Sequence, residues 1–355
     1  MNDFEEYIRQ GEPDKKEKGL IWQTAIGLQQ VDGLKPSAYL IETAKQNIEG
    51  DITFDEVKSR IDNYYKTQSA RQTDDANDRT EEADKVSARI AEILSEKTFS
   101  FSPAEYLNIH RRLFTGIYKF AGKIRDYNIT KPEWVLNGET VLYASTDYLT
   151  KTLEYDFKEE KAFNYKGLSK EQIIEHIAHF IAYLWQIHIF GEGNTRTTAV
   201  FLIKYLRKLG FKNISNDLFA EHSWYFRNAL VRANYEDLSQ NIHKTDKYLV
   251  RFLSNLLLKE NNILKNRELH IKFVENADVN VTNNVTDVTD NVTDRISKIM
   301  ALIKENNHIS TAKIATILSV SKRTILRDMD KLKQSGQICR TGDEKTGSWE
   351  IKIIK

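Results

Sequence analysis

The sequence predicts a mainly α protein with one β-hairpin in its principal domain and a small helix-turn-helix module at its C-terminus. Three observations carry that reading. Apolar residues recur at helical spacing, as in Ile174, Ile177, Ile181 and Trp185 and again in Ala199, Ile203 and Leu206. Asn137-Gly138 stands between two short apolar runs, the dipeptide that most favours a tight hairpin turn. Residues 295–355 carry thirteen Lys/Arg against six Asp/Glu, whereas the whole chain has a formal charge of only +1. The basic charge is therefore gathered at one end.

A chain of 355 residues with 40% apolar content can build one large core or two to three modest ones. No run approaches the length of about eighteen apolar residues that would span a bilayer, so no membrane association is expected. The start, Met1-Asn2-Asp3-Phe4-Glu5-Glu6-Tyr7, is acidic where an export signal would be basic and then apolar. The single cysteine, Cys339, excludes an internal disulfide framework and a thiolate metal cluster. A cytoplasmic protein is expected.

Residues 1–70 read as an N-terminal helical segment. Helices are expected over Gly19 to Val31, Pro36 to Ile48 and Phe54 to Tyr65, with Gly33 and Gly50 in the breaks between them. Residues 71–103 read as a connecting segment. The stretch from 66 to 84 is polar enough for an exposed connection or a solvated helix, with no functional residue singled out. Ser102-Pro103, a serine cap with proline at the first helical position, opens the stripe Tyr106, Ile109, His110 and Leu113 and marks the start of the main domain, residues 104–257. After Gly122 the pattern turns β-rich: Ile124 to Ile129, Trp134 to Leu136 and Thr140 to Tyr143. A hairpin of this kind must lean on helices and can offer an edge to an extended peptide.

The chemistry concentrates in His188-Ile189-Phe190-Gly191-Glu192-Gly193-Asn194-Thr195-Arg196, between two buried helical runs. Gly191 and Gly193 let backbone approach a ligand closely. Asn194, Thr195 and Arg196 open the next helix with free N–H groups and a positive dipole end, suited to phosphate. Glu192 can hold Mg²⁺, which binds through one or two carboxylates and phosphate oxygens. His188 can accept a proton from an attacking hydroxyl near neutral pH.

These residues resemble the Fic family, whose signature is His-x-Phe-x-(Asp/Glu)-Gly-Asn-x-Arg. The resemblance extends to Ile109 to Phe114, to Tyr118 to Arg125 and to the hairpin. It implies a Fic-type helical core with a β-hairpin flap, and transfer of AMP from ATP to a protein hydroxyl, on another protein or on itself. It further implies His188 as general base, Glu192 as Mg²⁺ ligand, and Asn194 and Arg196 as phosphate holders. Tyr225, Asn234 and Tyr235 are placed near the adenine, and Asn137, Gly138, Thr140 and Val141 on the target-docking flap. Two positions depart from the family pattern. Ile189 replaces a proline, and Ala199 replaces the second arginine that grips the γ-phosphate. Residues 25 to 65 look like the family's antitoxin helices, whose inhibitory glutamate pairs with that arginine. The best alignment sets Leu28, Asp32 and Gly33 on the inhibitory motif, ahead of Ile48-Glu49-Gly50. With a shorter acid and no second arginine, the motif reads as degenerate and the enzyme as free of the usual clamp.

Residues 258–294 read as a helix end and a low-complexity Val-Thr-Asn/Asp linker. Residues 295–355 read as helix, helix opened by Ser310, turn, helix from Lys322 to Gln334, and two short strands at 338–340 and 349–351. That order describes a winged helix and resembles bacterial winged-helix transcriptional modules. The resemblance places Ser321, Lys322, Arg323, Thr324 and Arg327 on a DNA-contacting recognition helix, with Arg340 and Lys345 on the wing. The expected partners are thus a nucleotide, a protein hydroxyl and DNA, with homodimerisation left open. The alternative function is a DNA-binding regulator whose Fic-like core binds a nucleotide with weak, altered or no transfer.

Overall fold

The computed structural model describes residues 3–69, 79–211, 217–273, 299–318, 325, 328–329, 332–333, 337–341 and 348–351. The chain divides into two compact units, Met1–Glu275 and Asn276–Lys355.

The first unit is helical. In order it contains α1 (Glu5–Gln10), α2 (Pro13–Gly27), α3 (Ala38–Glu49), α4 (Phe54–Ser69), α5 (Thr80–Ser95), α6 (Pro103–Phe114), α7 (Leu149–Ala162), α8 (Lys170–Ile187), α9 (Asn194–Lys208), α10 (Asp217–Asn234) and α11 (Lys247–Leu258). A 3₁₀ turn, Leu28–Asp32, continues α2 and ends on Gly33 at φ 70°. Ser102 caps α6 by accepting from the Glu105 N–H, with Pro103 in the first turn, as its sequence predicts. Ser169 and Gln172 form a reciprocal capping box on α8.

The unit is built around α9, in which every residue from Asn194 to Leu206 is buried. A helix buried all round must be enclosed by others, and Phe201 anchors it. Its ring lies 5.3 to 5.9 Å from those of Phe99, Phe101, Tyr106 and Phe157. At Gly27, close packing sets the residue: an added Cβ would lie 2.2 Å from Ala220 Cα on α10.

Three expectations are corrected. First, the region read as a connection contains α5, a core helix with Val86, Ile90, Ile93 and Leu94 buried. Its acids misled because they are drawn inside by specific partners. Asp84 accepts from the Ser37 N–H at 2.8 Å, the Ser37 hydroxyl at 2.5 Å and the Tyr65 hydroxyl at 2.7 Å.

Second, the hairpin around Asn137-Gly138 is a reversal without strands. Trp134–Leu136 is a 3₁₀ turn, Asn137 takes φ 57°, and the Gly138 N–H folds back onto the Glu133 carbonyl at 3.0 Å. The Glu133 N–H meets the Glu139 carbonyl at 2.9 Å, but no ladder follows because the Leu136, Asn137 and Glu139 N–H groups are spent inside the turn, on the Glu133, Trp134 and Leu136 carbonyls. Glu133 itself is held inward. Its carboxylate takes both Nη groups of Arg227 at 2.6 and 2.9 Å. Asn137 and Gly138 are exposed, whereas the Val141 side chain is in the core.

Third, residues 259–273 continue the first unit instead of leaving it. Leu269 is fully buried, the Ile271 N–H reaches the Val135 carbonyl at 2.9 Å, and Arg251 pairs with Glu268 at 3.0 Å.

In the second unit, residues 299–305 form α12, Thr311–Ile317 forms α13, and β1 (Ile338–Thr341) pairs antiparallel with β2 (Ser348–Ile351). Ile299, Ile303, Ile314, Ile325, Met329 and Trp349 share its core. The Trp349 Nε1–H donates to the Ile309 carbonyl at 3.2 Å, and the Arg340 guanidinium lies 4.8 Å from a Trp349 ring centroid. The helix order and the two strands match the winged-helix expectation. Ser321, Lys322, Arg323, Thr324, Arg327 and Lys345 lie outside the described residues.

Because Phe201 is enclosed by four other rings in the central helix, Phe201→Ala should cost about 3–5 kcal/mol of stability. Chemical denaturation would measure it, and a loss below 1 kcal/mol would mean that α9 is not the element the unit packs around.

Candidate active site

Helix α8 stops at Ile187 because His188 turns into the left-handed region, φ 49° and ψ 51°. A residue with a side chain adopts that conformation at some cost, which its surroundings must offset. Here Arg125 supplies much of the offset. Its Nε–H donates to the His188 carbonyl at 2.7 Å, its Nη1 to the Tyr127 carbonyl, its Nη2 to the Ala144 carbonyl, and its backbone N–H to the Ile189 carbonyl at 3.0 Å. One buried guanidinium thus ties the motif loop to both arms of the flap segment.

The loop from Phe190 to Arg196 is closed from within. The Phe190 N–H donates to Asn194 Oδ1 at 3.1 Å, and Asn194 Nδ2 donates to the Phe190 carbonyl at 2.8 Å. The amide oxygen and one amide hydrogen are therefore used in shaping the loop. Gly193 caps α9 at φ 78°, and an added Cβ would lie 2.4 Å from the Phe114 ring. Only glycine satisfies both constraints. Thr195 receives the Trp185 Nε1–H at 3.0 Å. The intrahelical ladder of α9 opens with the Thr197 N–H on the Gly193 carbonyl at 3.0 Å, so the preceding N–H groups face the loop mouth.

His110 braces the loop from α6. Its Nδ1 accepts from the Gly122 N–H at 2.8 Å, so Nε2 carries the proton and donates to the Glu192 carbonyl at 3.0 Å. The ring stacks on Phe190 at 3.7 Å. Burial holds its pKa down at about 4, against the opposing pull of the Glu192 carbonyl.

His188 is 3% exposed, and neither ring nitrogen has a hydrogen-bond partner among the described residues. Tyr143 packs on it, tilted, at 4.2 Å and Trp185 meets it edge-on at 5.2 Å. Burial first, then the Lys131 and Arg125 charges, hold its pKa well below the ordinary value. The imidazole is neutral at pH 7 and has an unoccupied lone pair.

The Glu192 carboxylate is more than a third exposed and pairs with Lys131 at 2.9 Å. No group of three or more His, Cys, Asp or Glu capable of holding a metal exists among the described residues. One hard-oxygen carboxylate at an open mouth fits an Mg²⁺ shared with phosphate oxygens, and does not fit a protein-only cage.

Arg196 is fully buried with every nitrogen engaged. Nη1 donates to Gln29 Oε1 at 3.0 Å, Nη2 to Glu82 Oε1 at 2.7 Å and to the Tyr118 hydroxyl at 3.2 Å. Nε lies 2.8 Å from Asp32 Oδ2, off the N–H axis, as an ion pair without an aligned hydrogen bond. Phe114 covers the guanidinium at 4.8 Å. Burial alone would raise the Glu82 carboxyl, but Arg196, the Tyr118 hydroxyl and Arg79 hold it below the usual range.

The motif Leu28, Asp32 and Gly33 is accordingly not without a partner. Asp32 has kept an ion pair by meeting the first arginine of the signature instead of the second. Leu28 is in the core, and Ala199 is too, so an arginine at 199 would have to displace packed side chains.

The site thus gathers His188, Glu192, Gly193, Asn194, Thr195 and Arg196. Tyr225 is fully buried, and Asn234 Nδ2 is spent on the Ala182 and Leu230 carbonyls at 2.8 and 2.9 Å, joining α10 to α8. Tyr235 is 8% exposed. Sequence reasoning missed Glu82, Gln29 and Lys131. For Glu82 a signal exists: with Val86 and Ile90 it forms a stripe at four-residue spacing, and an acid in an apolar stripe needs a buried partner.

His110 and His188 are neutral in the fold and protonate in the unfolded chain near pH 6.5. Between pH 6.5 and 4 the unfolded state therefore binds more protons, and stability should fall as pH drops through that window. Denaturant midpoints across it should decline, whereas a flat profile would contradict the burial of both imidazoles.

Residues 100–206 match the family model described as Fic/DOC family, and residues 295–341 match an HTH domain. A probable protein adenylyltransferase, y4lH, of Sinorhizobium fredii is 28% identical over 155 residues, covering 43% of this chain and 74% of the relative. Protein adenylyltransferase VbhT of Bartonella schoenbuchensis is 26% identical over 103 residues, 29% of this chain and 20% of the relative. The N-terminal FIC domain of the Bep8 effector protein from Bartonella sp. 1-1C aligns with a TM-score of 0.38 and 20% identity over 49% of this chain and 81% of that one. The chain carries a Fic/DOC family domain, with an HTH domain following it.

Proposed function

We propose that the chain transfers AMP from ATP to a hydroxyl of a protein, another or its own, with His188 as general base. The observation that supports this reading is a buried, neutral imidazole with an uncommitted lone pair, set beside the N-terminus of α9. The two adenylyltransferase relatives support the choice of ATP and of a protein acceptor. In the reaction, the hydroxyl oxygen attacks the α-phosphorus and the bond to the bridging oxygen breaks. Pyrophosphate leaves, and the hydroxyl proton passes to His188.

The backbone N–H groups at the start of α9 hold phosphate oxygens, and Gly193 allows their close approach. Glu192 would hold Mg²⁺ once Lys131 releases it. The ion supplies neutralisation of phosphate charge and orientation of the leaving group. Tyr143 covers His188 and must move aside before a hydroxyl can reach the ring.

The described conformation is a restrained one. Arg196 is enclosed by Gln29, Asp32, Glu82 and Tyr118, and the N–H groups left without an aligned acceptor, Nε–H among them, have no exposed surface, so nucleotide must displace at least one of these side chains. The N-terminal segment thereby sets the resting activity through the first signature arginine. We assign DNA binding to the basic residues 295–355, with Ser321, Lys322, Arg323, Thr324 and Arg327 as contacts. The second reading, a DNA-binding regulator with weak or absent transfer, is favoured by the same occupied Arg196 and by the buried Ala199.

Labelled ATP separates the two. Incorporation of label should be lost by at least about 100-fold in His188→Ala, the scale of general-base removal. Absence of label from the wild type with every nucleoside triphosphate would support the regulator. Asp32→Asn leaves Glu82 to neutralise Arg196 and should raise self-labelling several-fold, and an unchanged or lower rate would contradict the restraint. Because the His188 pKa is depressed, the rate should not fall as pH drops from 7.5 to 6.5, and a rate halved near pH 6.5 would indicate an ordinary, exposed base.

A further inference from the structure

A cavity of about 290 Å³ lies between α7 and α8 beside the flap segment, with Tyr143 in its wall. Its wall includes Leu142, Tyr143, Thr152, Asp156, Tyr183 and Gln186. Thr152 and Asp156 stand four apart on α7, and Tyr183 and Gln186 three apart on α8, so each helix presents one face to it. The Gln186 Nε2–H donates to the Leu142 carbonyl at 2.9 Å and fixes the flap segment against α8.

Beside the neutral polar Thr152 and Gln186 its lining is apolar and aromatic, and Asp156 is the one acid among its lining residues. No hydrogen bond or ion pair to that carboxylate is found among the described residues, although it is partly withdrawn from water and burial raises its pKa to about 6. A desolvated carboxylate without a partner is costly to keep. It becomes favourable when a cation arrives. Tyr183, 40% exposed, offers an aromatic face on which a guanidinium or ammonium can rest. Leu142, 84% exposed, marks the surface a bound polypeptide would cover.

We infer that this cavity is a specificity pocket for a lysine or arginine side chain of the protein substrate, close to the hydroxyl that is modified. The inference rests on the transfer reading above and names the class of substrate for it. Charge complementarity is joined to position: Tyr143 both lines the pocket and packs, tilted, on His188 at 4.2 Å, so the two sites are separated by one ring. A chain lying along the flap segment can place a hydroxyl at His188 and a neighbouring basic side chain at Asp156. An acidic neighbour would meet uncompensated repulsion in the same place.

The experiment uses the full chain and a degenerate peptide library with one fixed Ser, Thr or Tyr. Labelled AMP incorporation by the wild type should favour Lys or Arg over Asp or Glu at a flanking position by about tenfold, the low end for close charge pairs. Asp156→Asn should bring that ratio towards one, and Asp156→Lys should invert it. Both substitutions keep a partly solvated polar side chain, and each ratio is internal to its variant. Binding of the immobilised library without nucleotide reads the pocket independently of transfer. Binding enriched in basic residues and dependent on Asp156, with no label in peptides or in the protein itself, would overturn the transfer reading and leave the pocket assigned. Labelling without a basic preference, or a preference unchanged in Asp156→Asn, would overturn the pocket.

Discussion

The structure of the first unit depends on how it neutralises one buried charge. Arg196 sits at the start of the buried helix α9, with no exposed surface, and a guanidinium cannot shed its proton there. Leaving such a charge unpaired would cost several kcal/mol. The chain meets the requirement from two distant segments: Gln29 and Asp32 from the turn after α2, and Glu82 from α5. Tyr118 and Arg79 complete the network around Glu82. The N-terminal helices are thus joined to the N-terminal end of α9 by charge as well as by apolar packing.

The rest of the site follows from backbone constraints on either side of that arginine. His188 is forced out of helical geometry, and the Asn194 amide closes the turn that follows. His110 holds the loop by a single tautomer, accepting at one nitrogen and donating at the other. These hydrogen bonds fix the loop before any ligand arrives, which is what electrostatic catalysis requires. What is not preset is access, because Tyr143 packs against His188 and Lys131 pairs with Glu192.

Much of this was legible in the sequence, for physical reasons that differ by element. Ser102-Pro103 opens α6 as its chemistry dictates, since capping is local. The stripe Ile174, Ile177, Ile181 and Trp185 is buried along α8, since helical periodicity and burial are the same statement. The signature loop was readable because its donors lie within nine residues. Partner choice across the chain was not readable. Asp32 alone does not reveal that it meets Arg196 when its expected partner is alanine. The acids of α5 looked solvated because composition cannot distinguish a charge facing water from one facing a buried arginine. The flap misled in the opposite direction: Asn137-Gly138 does turn the chain, but the 3₁₀ turn before it spends the N–H groups that a ladder would need.

The central claim is that Arg196 is held away from nucleotide by the N-terminal carboxylate. Isothermal titration of the full chain with a non-hydrolysable ATP analogue and Mg²⁺, comparing wild type with Asp32→Asn, tests it most directly. Release of one of three partners should tighten binding by about tenfold, equal to about 1.4 kcal/mol. Equal affinities would contradict the claim, and would mean that the guanidinium network is a structural tie with no hold on the nucleotide.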